Sequence, residues 1–265
     1  MKENLFYPTK LKMKHIFRKQ FEVDSKEINK QGHLNPVTLL DYFNDIAGDH
    51  SKSAGYPLDQ LFKKGYAWVL LNWNICINHW PQSKDTVQAQ TWISTIKRAF
   101  ANREFILENQ HNQILVRATS KWIFYNIIKK RPVRIRQDFA QQWPIENAQN
   151  LNTLQFKISP NQDADQQKTL DIQKKDIDIL QHVHNSYYLQ WILEMISNEI
   201  SGNAILKQIQ IDYHHELKYL GYFFFKQHTE YRYQDNEAIY YHNVWDLGNN
   251  RKASTLITRW MKRDK

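Results

Sequence analysis

One arrangement of residues occurs twice in this chain, and that duplication constrains the fold more than any other feature. Setting His33 on His182, an offset of 149 residues, brings Glu27 onto Asp176, Asn29 onto Asp178, Leu34 onto Val183, Leu40 onto Leu189 and Tyr42 onto Trp191. Downstream, Leu39, Tyr42, Phe43 and Ile46 fall on Tyr188, Trp191, Ile192 and Met195, and both sets run i, i+3, i+4, i+7. That spacing gathers apolar side chains along one face of a helix. Each copy therefore reads as a short polar loop feeding an apolar helix. Asn35-Pro36 offers a cap and a first helical residue for the first helix. Asn185 is expected to cap the second.

Behind each helix come segments rich in aromatic and β-branched residues, the composition of strands. In the first half they are Gly65–Ile77, Thr86–Ser94, Arg103–Glu108 and Ile114–Asn126; in the second, Ala204–His214, Phe223–Tyr233, Ala238–Trp245 and Ala253–Trp260. The two halves also end alike, Ser120-Lys121-Trp122 in one and Thr258-Arg259-Trp260 in the other. Residues 138–167 between them are rich in Gln and Asn and poor in apolar side chains, which fits a linker. A central helix with several antiparallel strands, used twice, predicts an α+β architecture. Two copies of so long a unit do not make a solenoid.

Composition narrows the function. Cys76 is the only cysteine, so no intrachain disulfide can form and a reducing compartment, the cytoplasm, is expected. Its apolar neighbours mark it as a buried, inert thiol. The first 14 residues hold no signal-peptide stretch. No run reaches the roughly 20 apolar residues of a membrane helix, so neither export nor a membrane span is expected. The net charge of +9 favours acidic partners, yet the basic clusters Lys10–Lys19 and Lys129–Arg136 carry no nucleic-acid motif.

Asp176-Ile-Asp178-Ile-Leu-Gln-His182-Val-His-Asn185, followed by Tyr188-Leu-Gln-Trp191-Ile-Leu-Glu194, resembles the signature of the acyl-acyl-carrier-protein thioesterases of plants and bacteria. Leu39-Leu-Asp41-Tyr-Phe, Thr91-Trp92, Arg103-Glu104-Phe105, Ser120-Lys121-Trp122 and Arg131-Pro132-Val133-Arg134-Ile135 are similar to segments of the same family, so the likeness runs from about residue 17 to 260. It implies a double hotdog, each domain a central helix wrapped by an antiparallel sheet. Residues 1–140 would form the N-terminal hotdog holding the acyl-chain pocket, 141–166 a linker, and 167–265 the C-terminal hotdog holding the catalytic residues. The implied activity is hydrolysis of fatty acyl-acyl carrier protein to free fatty acid and carrier thiol. The implied partner is an acyl carrier protein bearing a fatty acyl phosphopantetheine. No metal or other cofactor is implied, and the chain would act as a monomer or homodimer.

Carried over position by position, Asp178, His182 and Glu216 match the family's catalytic aspartate, histidine and glutamate. Position 180, an Asn in the family, is Leu here; a nearby family Asn is His184, and a cysteine often found after the glutamate is Leu217. Thioester hydrolysis needs an activated water or carboxylate and a site for the oxyanion. Glu216, expected on a strand beside an apolar tunnel, would serve as the base or as the attacking carboxylate. His182 would orient or relay protons, since imidazole donates from one nitrogen and accepts at the other. Asp178 would hold the imidazole tautomer. His184 and Asn185 would bind substrate, with N–H groups of the helix start near Asn185 receiving the oxyanion. Arg131, Arg134 and the neighbouring Arg136 would face the acidic carrier.

Three other readings stay open. The same fold could hydrolyse acyl-CoA. Leu180 cannot hydrogen-bond, so the protein could instead bind acyl chains without turnover. His182, His184, His214, His215 and Glu216 hold enough nitrogen and oxygen for zinc, but not at the spacing of a known zinc motif.

Overall fold

A computed structural model describes residues 16–135, 145–146, 149–151, 166–177, 182–196, 202–218, 222–232 and 237–263. The aromatic and β-branched segments form strands that pair edge to edge. In the first half these are β1 (Phe17–Glu22), β2 (Tyr66–Ile77), β3 (Thr86–Lys97), β4 (Phe100–Asn109), β5 (Ile114–Asn126) and the two-residue β6 (Arg131–Pro132). In the second they are β7 (Gln166–Asp171), β8 (Ala204–Tyr213), β9 (Tyr222–Arg232), β10 (Glu237–Asp246) and β11 (Arg251–Lys262). The helices are α1 (Pro36–Ser53), the short α2 (Leu58–Lys63) and α3 (Asn185–Met195).

The strands make one antiparallel sheet ordered β1-β3-β4-β5-β2-β8-β11-β10-β9-β7, with β6 hairpinned onto the end of β5. Each half repeats the same internal order, and the halves join through β2 and β8 with Asn74 opposite Gln210. The flanking pairs, Asn72 with Asp212 and Cys76 with Gln208, exchange under a half-turn about that point. The molecule is thus a pseudo-twofold pair of helix-on-sheet units, the α+β double hotdog. The helix faces read from the i, i+3, i+4, i+7 pattern are the ones buried. Leu39, Phe43 and Ile46 of α1 and Leu189 and Ile192 of α3 are completely enclosed in a single core that spans both halves. Full burial of each contributes on the order of 1.5–3 kcal/mol.

The 149-residue offset holds to the residue through the start of each copy. It relates β1 to β7 and the 3-10 turn Ser25–Glu27 to the turn Lys174–Asp176. It relates the bridge Ile28–Leu34 to Ile177–Val183, and the first residue of α1 to that of α3. In both turns the third residue, Glu27 or Asp176, accepts a hydrogen bond from the backbone N–H that precedes the turn, at 2.9 Å in each. Beyond the helices the correspondence changes. α1 runs 18 residues against 11 for α3, and α2 has no counterpart among the described residues. The offset falls to 136 between β2 and β8 and to 138 between Trp122 and Trp260. The shared detail persists: Trp122 Nε1 donates to Ser120 Oγ at 2.7 Å and Trp260 Nε1 to Thr258 Oγ1 at 3.1 Å. Both strand pairs carry a bulge beside that tryptophan.

One local expectation needs correction. The cap of α3 is His184, not Asn185, which is the first helical residue. His184 is the 149-residue equivalent of Asn35, so the duplication itself points to the right position. Two described pieces of the Gln/Asn-rich stretch lie against the first half. Ile145 bridges to Ile93, and Asn150 caps a gap in the first half by accepting from Arg117 Nη1 at 2.9 Å and donating its backbone N–H to Glu104 Oε2 at 3.3 Å.

Candidate active site

The site begins where β8 ends. Tyr213 closes the strand, and Glu216 follows three residues later in an irregular segment, not on a strand as expected from the sequence. There the chain turns back along the loop before α3, so that Val183 N donates to Leu217 O at 2.9 Å and His182 bridges to Lys218. This crossing brings His182 Nε2 to 3.2 Å from Glu216 Oε2. Glu216 takes this partner in preference to a neighbouring lysine. The pair is open to water, with the His182 side chain 24% and the Glu216 side chain 48% exposed. Glu216 is therefore not the enclosed carboxylate that an apolar tunnel wall would produce. Asp178 and Leu180 lie outside the described residues.

Two residues past His182, α3 starts. His184 makes no capping bond to the helix backbone; its Nδ1 pairs instead with Ser186 Oγ at 2.8 Å. By contrast, Asn35 Oδ1 caps α1, accepting from Val37 N at 2.9 Å. The first turn of α3 is thus left without a side-chain cap, and its N–H groups carry the positive end of the helix dipole. Asn185 is held from both halves. Its Oδ1 accepts from Asn44 Nδ2 of α1 at 3.1 Å, and its backbone oxygen accepts from the Tyr213 hydroxyl at 2.9 Å. Asp41, also on α1, bonds Ser186, and burial holds its carboxyl above the ordinary aspartate value. Asp41, Asn44 and Tyr213 were not singled out as site residues from sequence. Asp41 stood in a motif similar to the family's, but nothing local says that α1 reaches the start of α3.

From His184 and Asn185 a cavity of about 240 Å³ runs into the first half, between α1 and the sheet. Ala47, Gly48, Leu58, Trp68, Ile93 and Trp122 supply apolar wall, and Arg103 stands among them. Arg103 is buried with Nη1 2.9 Å from His50 Nδ1 and 3.3 Å from Thr91 Oγ1. Burial depresses its guanidinium to about 9, and burial followed by the nearby charge of Arg103 depresses His50 to about 3. Two substrate-binding residues expected from sequence, His184 and Asn185, therefore stand at the mouth of a pocket in the first half, next to the His182–Glu216 pair.

Arg131 and Arg134 are not part of this cluster. They are exposed on the segment after β5, which packs through Val133 and Ile135 against Leu61, Trp68 and Phe124. They face outward from the wall whose inner side Trp68 gives to the cavity. Arg136 lies outside the described residues. The candidate zinc set disperses: His214 Nε2 pairs with Thr255 Oγ1 at 3.0 Å and His215 Nε2 with Asp246 Oδ2 at 3.3 Å. Among the described residues no three of His, Cys, Asp and Glu group closely enough to hold a metal ion. Burial raises the Cys76 thiol above its ordinary value, the direction of an unreactive cysteine.

The first copy of the unit shows what this site has and its twin lacks. The equivalents of Asp178, His182 and Glu216 are Asn29, His33 and Trp80. The hydrogen bond from Val183 N to Leu217 O recurs as Leu34 N to Pro81 O at 2.8 Å, which fixes the alignment. His33 faces the Trp80 ring at a centroid distance of 6.5 Å where His182 faces a carboxylate. The carboxylates have gone from the first copy, so only the second can run acid–base chemistry of this kind.

Comparison with known proteins gives the family and the fold. The family model for the acyl-ACP thioesterase N-terminal domain matches residues 14–143, and that for the C-terminal domain matches residues 159–262. An acyl-[acyl-carrier-protein] hydrolase of Cuphea viscosissima, named as chloroplastic, is 28% identical over 218 residues, covering 76% of this chain and 52% of that protein. A chloroplastic oleoyl-acyl carrier protein thioesterase of Coriandrum sativum is 26% identical over 224 residues, covering 77% of this chain and 60% of its own. The chain thus spans between half and three fifths of the length of these relatives. Among solved structures, a putative oleoyl thioesterase of Lactobacillus plantarum superposes with a TM-score of 0.85 at 21% identity, covering 94% of this chain and 97% of that one. A 12:0-ACP thioesterase of Umbellularia californica gives 0.81 at 19%, covering 94% of both. These likenesses show the double-hotdog fold. No described helix is long and apolar enough to cross a membrane. With both family domains matched in order along its length, this chain belongs to the acyl-ACP thioesterase family.

Proposed function

We propose that the protein hydrolyses fatty acyl thioesters carried on acyl carrier protein. The observation that carries this reading is the His182–Glu216 contact beside an uncapped helix start whose His184 and Asn185 open onto an apolar-walled cavity. The acyl chain enters that cavity and the thioester carbonyl rests at the mouth. Glu216 takes a proton from a water molecule while His182, bonded to it, holds the carboxylate's orientation and passes the proton on. The water oxygen adds to the carbonyl carbon, and the oxygen that becomes negative lies against the N–H groups opening α3. The C–S bond then breaks, the carrier thiolate takes a proton, and the free fatty acid is released. Asp178 completes the catalytic set by holding the His182 tautomer.

The carrier docks through the exposed Arg131 and Arg134. Its acidic surface meets a chain of net charge +9, which raises the encounter rate and sets the orientation. A reducing compartment such as the cytoplasm suits a chain with a single cysteine.

Initial hydrolysis rates on dodecanoyl-acyl carrier protein and dodecanoyl-CoA test the reading directly. We expect turnover of both with a higher kcat/KM for the carrier substrate, abolished by Glu216→Gln. A preference for CoA would reassign the substrate class. Tight acyl binding without turnover, with Leu180→Asn equally silent, would make the protein an acyl binder, whereas a large gain of activity in Leu180→Asn would mark a weakened active site.

A further inference from the structure

A second cleft lies across the pseudo-twofold axis from the mouth of the acyl cavity. A cavity of about 520 Å³ opens between the start of α1 and the C-terminal half of α3. Part of its wall matches the first; another part, Val37, Thr38, Gln190 and Glu194, matches Ser186, Tyr187, Asp41 and Asp45 of the outer cleft beside that cavity. Asn35, Pro36, Leu193 and Trp260 line it, and these are the equivalents of His184, Asn185, Asn44 and Trp122, which line the other. Its mouth is formed by Asn29 and Gln31, equivalents of Asp178 and Leu180, and by Trp80, which replaces Glu216. The volume falls within the roughly 300–1,000 Å³ of small-molecule sites.

The second cleft differs from the first in two respects. It lacks the same base: Trp80 Nε1 is committed to Leu206 O at 2.9 Å, and among the described residues no carboxylate pairs with His33 as Glu216 does with His182. Its mouth also carries a lysine. Lys30 lines it, and His33 lies within reach of the charges of Lys207 and Arg263, which together with burial, the largest cause, hold its pKa down. The one carboxylate on the wall, Glu194, is bonded by Gln190 Nε2 at 3.1 Å. Trp80, Leu193, Leu206 and Trp260 line the remainder as apolar wall.

We propose that this cleft is a second, non-hydrolytic acyl site that binds a fatty-acid anion, with the alkyl chain against Leu193, Leu206 and Trp260 and the carboxylate beside Lys30. The choice of an acyl occupant rests on the proposed function of the first cavity; the absence of turnover and the preference for an anion rest on the residues of this cleft.

Calorimetric titration of the full chain with dodecanoate tests it. Two molecules should bind per chain. Leu193→Trp, which fills the cleft, should leave one. Lys30→Glu, at an exposed position that leaves folding intact, should weaken one of the two sites about tenfold, the order expected from reversing a nearby charge in water. The same change should leave dodecanol binding unaltered. A stoichiometry of one that Leu193→Trp leaves unchanged overturns the proposal, as do two undiminished sites in both variants. Equal weakening of dodecanol by Lys30→Glu overturns the anionic head. The stoichiometry does not depend on hydrolysis, so failure of the thioesterase reading in a rate assay would be seen separately.

Discussion

Replacing Glu216 by Gln separates a catalytic role for the His182 contact from a merely structural one. Gln keeps the volume and an oxygen that can accept from His182, but it cannot take a proton. As a structural feature the contact is worth little. Its atoms are 3.2 Å apart, but the side chains are 24% and 48% exposed, and water-exposed ion pairs contribute about 0–1 kcal/mol. As a general base, Glu216 is worth about 10²–10⁴ in rate, or roughly 3–5 kcal/mol of transition-state stabilisation. The two magnitudes differ enough to be told apart. The assay pairs thiol release from dodecanoyl-acyl carrier protein with urea unfolding at the same pH. Glu216→Gln should lower kcat by at least about a hundredfold while the unfolding free energy moves by less than about 1 kcal/mol. His182→Ala should behave likewise, and the double variant should be no more than about threefold slower than the slower single one, because residues acting as a unit are not additive. A loss in kcat below tenfold for Glu216→Gln, with unchanged stability, would refute the assignment of the base.

Three further outcomes follow from the geometry. Gly48 faces the acyl cavity from within α1, and a Cβ there would meet only Leu58 Cδ1 at 3.8 Å. Gly48→Leu should therefore raise helix stability by up to about 1 kcal/mol while shifting preference towards shorter acyl chains, read from kcat/KM across a chain-length panel. Burial holds His242 at about 3, and burial with Arg103 holds His50 at about 3, against 6.5 when unfolded. Between these values the unfolded chain binds more protons, so stability is fully present above about 6.5 and falls as the pH drops towards 3, by up to about 1.4 kcal/mol per pH unit for each histidine. Urea midpoints from pH 7 to 4.5 should show that slope, and His242→Asn should flatten it. Finally, Arg131→Glu with Arg134→Glu should lower kcat/KM for the carrier substrate and weaken its salt dependence, without changing the rate on a dodecanoyl pantetheine thioester.

Much of the fold was legible because its signals are local. The i, i+3, i+4, i+7 faces, the Asn35 cap and the strand composition act over a few residues, and the structure builds α1, α3 and the longer strands where they indicate. The edge strands β1 and β7 carry no such signal. FRKQFE and QQKTLD are largely polar in composition, and only pairing with β3 and β9 makes them strands. His182 and Glu216 were legible through family resemblance, but their contact was not. They are 34 residues apart in sequence, and only the crossing of the segment after β8 over the loop before α3 brings them together. Asp41 and Asn44 reach the site for the same reason: packing of α1 against α3 lays one half's helix at the mouth of the other half's loop.

The sequence by itself determined that one helix-on-sheet unit is used twice, because the hydrophobic period and the capping residues are written into each copy. It also placed Asn29 where Asp178 stands, whereas the match of Trp80 to Glu216 follows only from the backbone pairing of each loop with the segment that crosses it. Tertiary structure alone decided where the proposed acyl cavity and the second cleft lie. Both are spaces between copies, shaped by how two apolar helix faces share one core, and no window of sequence contains a space between elements that meet only after folding.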